Sequence, residues 1–286
     1  MTIPQGTSLC IDLHCHSTAS DGTLTPSELV DRAAAMGVTH LALTDHDTID
    51  GLTEARSRAV DAGLALINGI ELSCVWRRQT IHVVGLDFDI EDSRFLARLQ
   101  AQHDNRWRRA HKIAERLERK VPEPLLDLAT EQAGGDVPGR PHFAKALIAQ
   151  GVVKNMNQAF SRYLGNGKPG DVKAFWPELE EIVGWISEAG GIAVLAHPRK
   201  YGLTGSKLRQ LVADFQGAGG QAMEVATSGQ QRGDLSFLAE LCRGSELMAS
   251  QGSDFHFPGA SWCELGRFET LPSGLTPVWQ GFRTPL

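Results

Sequence analysis

Two histidines stand two residues apart at the end of the first apolar stretch, in Ile11-Asp12-Leu13-His14-Cys15-His16, and Asp21 follows in the next loop. Alternate residues of a β-strand project to the same face, so His14 and His16 would point together. Two imidazoles beside a carboxylate are typical of a metal site. Partly buried, hydrogen-bonded histidines would give the same short pattern, so the rest of the chain has to decide.

Further metal-binding residue types lie at or just past the ends of the other predicted strands, and His82 joins this set from within its strand. The active site of a barrel forms where the carboxyl ends of its strands meet, so we expect these side chains to lie together. Mixed imidazole and carboxylate ligands suit Zn, Mn or Fe(II), and the pattern favours a multinuclear centre. The residues are His46 after a strand at 40–44, Glu71 within 64–72, His82 within 80–88, His197 after 191–196, and Asp254 and His256 after 247–252.

Strand and helix patterns alternate along both ends of the chain. The sequence Thr25-Pro26-Ser27-Glu28 predicts a helix start, and Gly37 predicts its end. Short connections between strands and helices predict parallel strands in an α/β architecture. Further helices are expected at 51–63, 177–189, 207–215 and 234–243, and a further strand at 222–226.

The middle of the chain differs in pattern and in charge. Helical spacing dominates residues 94–173, with helices expected near 95–117, 124–133, 141–150 and 157–164. This stretch has 15 Lys/Arg and 8 Asp/Glu, a balance of +7, whereas the remainder has 13 and 26, a balance of −13. We predict a barrel domain of residues 1–93 and 174–286, and an inserted basic helical subdomain of residues 94–173. The insertion would meet an anion, or its arginines would form a solvated helix face.

Composition narrows the class of protein. The chain has 286 residues and five cysteines, without a Cys-x-x-Cys spacing, which favours a reducing, cytoplasmic location. Residues 1–9 lack the pattern of a signal peptide, and the apolar run near 190–196 is too short to cross a bilayer. We therefore expect no membrane association, and the sequence points to no protein partner.

The complete series of motifs resembles the PHP (polymerase and histidinol phosphatase) family. It comprises His14-Cys15-His16 with Ser20-Asp21-Gly22, Thr44-Asp45-His46-Asp47, Glu71, His82, Ala196-His197-Pro198 and Ser253-Asp254-Phe255-His256. The resemblance implies a distorted (β/α)7 barrel, an α/β fold, with up to three metals at the strand ends. It also implies three ligand sets: His14, His16, Glu71 and Asp254; Glu71, as a bridge, with His82 and His197; and Asp21, His46 and His256.

Within that family, the sequence His16-Ser17-Thr18-Ala19-Ser20-Asp21-Gly22 and the insertion look most like the stand-alone nucleotide phosphatases. The resemblance implies removal of the 3′-phosphate from nucleoside 3′,5′-bisphosphates, and relatives trim short RNA from its 5′ end. Two to three divalent metals, Mn, Fe or Zn, and a small phosphorylated nucleotide are the expected partners. Histidinol phosphate or another small phosphomonoester, an amidohydrolase reaction and a non-catalytic nucleic-acid-binding module stay as alternatives.

Metals in such a site can hold a hydroxide near neutral pH and neutralise charge on the phosphoryl group. No side chain is assigned as the general acid. Asp45 could orient a neighbouring ligand, or could be a capping or surface carboxylate.

The stretch Gly139-Arg140-Pro141-His142 suggests a second anion site. Pro141 predicts a helix start, and the amino end of a helix favours anions. Arg140 could grip a phosphate with two hydrogen bonds, His142 could add another, and Lys173 could add charge. The alternative is an exposed ion pair of Arg140 with Glu131 or Asp136.

Overall fold

Seven strands form one mixed sheet that curls into a nearly closed barrel in the computed structural model, which describes residues 9–119, 121, 124–173, 175–284 and 286. Neighbours in the sheet follow chain order from β1 to β7. The distorted seven-stranded α/β barrel expected from the sequence is confirmed. The strands are β1 Ile11–Asp12, β2 His40–Leu43, β3 Ala65–Trp76, β4 Gln79–Leu86, β5 Ile192–Leu195, β6 Ala222–Thr227 and β7 Met248–Gly252.

The segments that follow β1 and β7 bring the two ends of the sheet together. The His16 N–H donates to the Phe255 carbonyl at 2.8 Å, and the Asp254 N–H donates to the His14 carbonyl at 2.8 Å. These main-chain bonds join residues of the first and last motifs. Closure of the barrel therefore positions His14 and His16, which follow β1, beside Asp254 and His256, which follow β7.

The expectation that all strands are parallel is wrong for β4. Both β3–β4 and β4–β5 are antiparallel, and β3 pairs with β4 from Gly69 opposite Leu86 to Trp76 opposite Gln79. Only Arg77 and Arg78 connect β3 to β4, and both have positive φ, 45° and 67°. A two-residue turn with positive φ at both positions makes a tight hairpin and leaves no room for a crossover helix.

Helices cover the outer face of the barrel. At the first of them, Thr25 accepts a hydrogen bond from the Glu28 N–H at 3.2 Å, and Glu28 accepts one from the Thr25 N–H at 2.9 Å, so the predicted start is a capping box. In the described ranges the helices are α1 Pro26–Ala35, α2 Leu52–Ala62, α3 Ser93–Glu118, α4 Leu126–Gln132, α5 Arg140–Ala149, α6 Met156–Ala159, α7 Leu179–Glu188, α8 Gly205–Gly217 and α9 Arg232–Gly244. A π-helical turn, Phe160–Leu164, follows α6, so the helix expected at 157–164 is interrupted.

The two faces of the strands pack into different cores. Leu41 and Leu43 of β2 join the cluster that includes the outer helices, whereas Ala42 between them joins a cluster made mainly of strand residues. Alternation along a strand explains this division. By the same alternation, Glu71 shares the inner face of β3 with Ile67. The inner face of the sheet thus carries apolar residues at one depth and the predicted ligands at another.

Helix α3 belongs to both parts of the chain. Its residues Phe95 and Leu99 pack in the barrel's outer core, while Ile113 and Leu117 pack in a second core with residues of α4 to α6. The predicted boundary at residues 93 and 94 therefore coincides with the start of a helix that continues from the barrel into the insertion. In the described ranges, no helix is both long and apolar enough to cross a membrane.

Candidate metal centre

The nine side chains singled out as ligands lie together at one edge of the barrel. They follow β1, β2, β5 and β7, or stand within β3 and β4. Their nitrogen and oxygen atoms form overlapping groups in which ligand atoms lie within 4.8 Å of one another. The groups are His16, Asp21, His46 and His256; His14, Glu71 and His197; His14, His16 and Asp254; and His46, Glu71 and His82.

The reversed direction of β4 explains the position of His82. His82 lies near the start of β4, opposite Ser73 of β3. In a parallel strand that position would face the far end of the barrel. Because β4 runs the other way, its beginning lies at the edge where the neighbouring strands end, and His82 reaches Glu71.

Glu71 stands at the centre of the cluster and is fully buried. One carboxylate oxygen, Oε1, lies 2.9 Å from His82 Nδ1 and 2.8 Å from His197 Nε2. The other carboxylate oxygen faces three further histidines. Oε2 lies 3.2 Å from His14 Nε2, 3.2 Å from His16 Nε2 and 3.1 Å from His46 Nδ1. Each oxygen of Glu71 therefore faces its own group of imidazoles, as a bridging carboxylate would.

His16 and His46 each lie between two of these groups. The family resemblance, in contrast, implies that each of them belongs to a single ligand set. His16 Nε2 lies 3.3 Å from Asp254 Oδ1, while its Nδ1 lies 3.9 Å from Asp21 Oδ1. His46 Nε2 lies 3.8 Å from Asp21 Oδ2, while its Nδ1 faces Glu71. The cluster is one continuous set, and its division among individual metals stays a prediction.

Unpartnered buried atoms test whether a cation fits here. Five buried side-chain atoms of the cluster have no hydrogen-bond partner among the described residues: His16 Nδ1, Asp21 Oδ1, His46 Nδ1, Glu71 Oε2 and His197 Nδ1. A buried polar atom without a partner is costly, and five at one place require an explanation. Imidazole nitrogens and carboxylate oxygens are the ligands of Zn, Mn and Fe(II), so the side chains fit such metals.

The three carboxylates of the cluster are held in the ionised form. Burial would raise the pKa of Asp21, Glu71 and Asp254, but neighbouring basic side chains outweigh it and hold each pKa well below its ordinary value. For Asp21 the foremost of these is His256; for Asp254 they include His14 and Lys200. Three negative charges in one place, that of Glu71 fully buried and those of Asp21 and Asp254 each on a side chain only 9% exposed, favour bound cations.

Two histidines that face the same oxygen of Glu71 differ in protonation. Burial lowers the pKa of His46 to about 3, so this imidazole is neutral. Burial also acts on His16, but the nearby carboxylates of Asp254 and Glu71 outweigh it and raise its pKa to about 10. Since a histidine binds metal only when it is deprotonated, metal binding should release a proton from His16.

Glu224 is a buried carboxylate that the sequence reasoning missed. It lies in β6, where its Oε1 accepts a hydrogen bond from His14 Nδ1 at 2.6 Å and its Oε2 accepts one from the His197 N–H at 2.5 Å. With His14 Nδ1 bound in this way, its Nε2 faces Glu71. The available signal was a glutamate between apolar residues in the strand predicted at 222–226. Such a carboxylate fixes the orientation of a metal-binding imidazole.

We expect Glu224→Gln to weaken metal binding without removing it, because a ligand's outer partner orients it but does not bind the metal. The expected loss of affinity is roughly 10–100-fold. Titration with Mn or Zn against a competing chelator measures it. Glu240→Gln, at an exposed glutamate of α9, is the matched control. Equal affinities in the two variants would contradict this role for Glu224.

Asp45 holds the loop that carries Asp21. Its side chain is buried and accepts hydrogen bonds from the Ser17 N–H at 2.8 Å, from Ser17 Oγ at 2.6 Å and from Ser20 Oγ at 2.7 Å. The carboxylate thus orders residues 17–20, between His16 and Asp21, through main-chain and hydroxyl contacts. A surface position for Asp45 does not agree with its burial.

Tyr201 is a second missed residue of the site. Its hydroxyl accepts a hydrogen bond from the His82 N–H at 2.9 Å and donates one to the Ala196 carbonyl at 2.9 Å. It therefore links β4 to the end of β5, next to His197. No local pattern could reveal this role, because the contact joins residues far apart in the chain.

An open cleft lies between the cluster and the insertion. Asp21, His46 and His82 lie on the barrel side. The facing side contains three arginines, which we call the arginine wall: Arg106, Arg109 and Arg140. The basic insertion thus places cations opposite the acidic metal cluster.

The sequence predicted one phosphate-binding arginine, Arg140. The structure places two more beside the same cleft, Arg106 and Arg109. Arg106 Nη1 pairs with the buried Asp47 Oδ2 at 2.5 Å. Arg109 is 7% exposed, donates to the Val172 carbonyl at 2.8 Å and lies over Trp176, with no carboxylate ion-pair partner in the described part of the chain. Burial, followed by Arg140 and Arg106, lowers the pKa of Arg109 to about 9. Such crowding of cations favours a bound anion.

The other predicted substrate residues lie near the arginine wall. A helix does begin at Arg140, as expected. Arg140 Nη1 donates to the Leu164 carbonyl at 3.4 Å, and Asp171 and Asp21, not Glu131 or Asp136, are the acids that act on its pKa. His142 Nδ1 accepts from the Gly139 N–H at 3.0 Å, and Lys173 pairs with Asp171 at 3.2 Å. Contact of these side chains with a substrate stays a prediction.

Comparison with known proteins places this site in a family. The model of the PHP domain matches residues 12–189. A protein of Haemophilus influenzae named 5′-3′ exoribonuclease is 46% identical over 95% of this chain and 98% of its own. A protein of Chromobacterium violaceum named 3′,5′-nucleoside bisphosphate phosphatase is 42% identical over 94% of this chain and 95% of its own.

Solved structures agree on the fold. A structure from Chromobacterium violaceum, named as an amidohydrolase with bound sulfate and no metal, has a TM-score of 0.88 and 42% identity over 95% of both chains. A metal-dependent phosphoesterase structure from Bifidobacterium adolescentis has a TM-score of 0.77 and 27% identity, and covers 95% of this chain and 93% of that one. Each of these structures is matched over 95% of this chain, so they share its fold.

Proposed function

The chain belongs to the PHP domain family and is a metal-dependent phosphoesterase; on this basis we propose that it removes the 3′-phosphate of nucleoside 3′,5′-bisphosphates. The products would be the nucleoside 5′-monophosphate and phosphate. The non-catalytic nucleic-acid-binding alternative is excluded by the family and its named relatives.

One observation carries the choice of substrate: a single cleft has the metal cluster on one side and the arginine wall on the other. A nucleoside bisphosphate has two phosphates separated by a ribose. One phosphate would lie at the cluster and be hydrolysed, and the other would be held by the arginines.

We propose that two to three divalent metals, Mn, Fe or Zn, bind the nine-residue cluster, with Glu71 shared between them. When bound, such metals lower the pKa of a water molecule and neutralise charge on phosphoryl oxygens. The chain's own residues prepare this site. Glu224 orients His14, Asp45 orders the loop of Asp21, and Tyr201 ties the strand of His82 to that of His197.

The arginine wall would bind and orient the phosphate that is not hydrolysed. A guanidinium matches the geometry of a phosphate with paired N–H donors, so two or three of them fix the substrate's direction as well as its affinity. Arg106 is itself aimed by Asp47, which also accepts hydrogen bonds from the Ser73 N–H at 2.7 Å and Gln102 Nε2 at 3.0 Å. Residues from the barrel and from α3 therefore hold this arginine in place.

A second candidate function is the trimming of short RNA from its 5′ end, which would cleave the same kind of bond. In both substrates the bond between O3′ of the first nucleoside and phosphorus would break. The name of the Haemophilus influenzae relative favours it. Histidinol phosphate and simple amides fit less well, because neither offers a second phosphate to the arginine wall.

Phosphate release from a panel of substrates tests the proposal. The protein is reconstituted with Mn, Fe(II), Zn or Mg and offered adenosine 3′,5′-bisphosphate, AMP, histidinol phosphate and a set of amides. We expect kcat/KM for the bisphosphate to exceed that for AMP by about tenfold or more, since a charged hydrogen bond contributes roughly 1.5–3 kcal/mol. Equal turnover of the bisphosphate and AMP would contradict recognition of the second phosphate.

A further inference from the structure

Two exposed aromatic side chains lie on the loop that follows His256. Phe257 is 47% exposed and Trp262 is 66% exposed. In the described ranges they are the only aromatics among the large exposed apolar side chains, and they stand five positions apart. We call this pair the aromatic rim. Exposed aromatics confined to one loop of a catalytic edge suggest a binding surface.

The loop of the aromatic rim is anchored to the metal cluster. The Thr23 N–H donates to the His256 carbonyl at 2.8 Å, and Cys263 Sγ donates to the Ser253 carbonyl at 3.3 Å. Trp262 also lies against Gly229, where an added methyl group would be 3.4 Å from its Cδ1. The two aromatics are therefore presented on a fixed loop.

The aromatic rim and the arginine wall lie on different sides of the cluster. The arginine wall is tied to Asp47 after β2 and faces His82 of β4. The aromatic rim follows β7 and leans on Gly229, which follows β6. In a barrel whose strands run in chain order, β7 lies across from β3 and β4. A linear substrate that has one end at the arginine wall and crosses the metal cluster would therefore extend towards the aromatic rim.

We propose that the aromatic rim stacks the nucleobases downstream of the cleaved bond in single-stranded RNA. The proposal rests on the proposed function, because the 5′-phosphate of the first nucleotide is placed at the arginine wall. Base–aromatic stacking tolerates any base, as an exonuclease requires. The exposed Arg232 and Arg267 flank the same loops and carry charge opposite to that of the RNA backbone.

The same bond cleavage accounts for a bisphosphate and for RNA. A water oxygen bonds to phosphorus, the P–O3′ bond breaks, and O3′ leaves with a proton as the hydroxyl of a nucleoside 5′-monophosphate. With the bisphosphate, the released group is inorganic phosphate. With RNA, the phosphate stays on the 5′ oxygen of the next nucleoside, so the shortened RNA again has a 5′-phosphate and its next base already lies near the aromatic rim.

Kinetics against substrate length test this proposal. Trp262→Ala and Phe257→Ala should each raise KM for 5′-phosphorylated oligoribonucleotides of two or more residues by about tenfold, the effect of losing one stacked base. The kcat values for those oligonucleotides should not change, nor should either constant for adenosine 3′,5′-bisphosphate, which has no downstream base. Trp262→Phe should retain most of the affinity. Val60→Ala, at an exposed side chain of α2, is the matched control.

Binding without cleavage gives a second measurement. An oligonucleotide whose bridging O3′ is replaced by CH2 cannot be cleaved at that position. Measured by fluorescence anisotropy, it should bind to the metal-loaded wild type more tightly than it binds to the metal-loaded Trp262→Ala variant. Unchanged affinity, an equal loss on the bisphosphate, or a change in oligomeric state without an effect on RNA would overturn the aromatic rim as an RNA site. A wild type that hydrolyses the bisphosphate and ignores RNA would also overturn it, yet leave the proposed function intact. Failure on the bisphosphate as well would contradict the proposed function itself.

Discussion

Glu71→Ala is expected to abolish phosphate release and to remove most of the bound metal. Each oxygen of Glu71 faces a separate group of imidazoles, so its loss would remove a carboxylate from more than one of the proposed metal positions. The loss of activity should exceed the roughly 10–100-fold effect expected for an outer residue such as Glu224. Metal content by mass spectrometry and kcat for adenosine 3′,5′-bisphosphate measure the two effects.

Control measurements separate the role of Glu71 from general damage. The freshly purified wild type should contain two to three transition metals per chain, and chelation followed by addition of Mn, Fe(II) or Zn should remove and restore activity. Glu269→Ala, at an exposed glutamate, should behave as the wild type. Hydrolysis that survives complete chelation would contradict a metal mechanism, and full activity of Glu71→Ala would contradict a bridging role.

The position of the predicted ligands could be deduced from the sequence because it depends on a regular feature of the fold, the shared edge at which barrel strands end. Strand ends in a barrel meet at one edge, so residues such as His46 and His197 could be assigned from their distance to apolar runs. His82 was included among the predicted ligands, although it stands near the start of its strand, and only the reversed direction of β4 explains its position. Its strand is reversed by Arg77-Arg78, which lacks the Asn-Gly or Asp-Gly pattern that marks such a turn.

The surroundings of the cluster were less predictable, because they depend on long-range contacts. Glu224 reaches His14 from a strand more than two hundred residues later in the chain. Arg106 and Arg109 stand one turn apart on α3, which is the spacing of a shared helix face, but the sequence does not say which face meets the barrel. Only the docking of α3 through Asp47 and Gln102 decides that these arginines face the cluster of predicted ligands.

Arg140→Ala is expected to raise KM for adenosine 3′,5′-bisphosphate by tenfold or more, because it removes a charged donor to the second phosphate, which contributes roughly 1.5–3 kcal/mol. AMP, which has one phosphate, should respond less if it binds with that phosphate at the metals. Arg140→Lys should recover part of the loss, since lysine keeps the charge but not the paired donors. Steady-state kinetics of phosphate release measure all three effects.

The matched control for this prediction is Arg162→Ala, at an exposed arginine of the same insertion. This substitution removes the same charge, but Arg162 does not line the cleft. It should therefore leave KM for the bisphosphate nearly unchanged if the position of the arginine, and not the net charge, decides substrate affinity. Arg140 is the better test than Arg106, because loss of Arg106 would leave the buried Asp47 without its ion-pair partner and destabilise the docking of α3. Metal content should be the same in Arg140→Ala and the wild type. Equal KM values in Arg140→Ala, Arg162→Ala and the wild type would show that Arg140 does not contact the second phosphate.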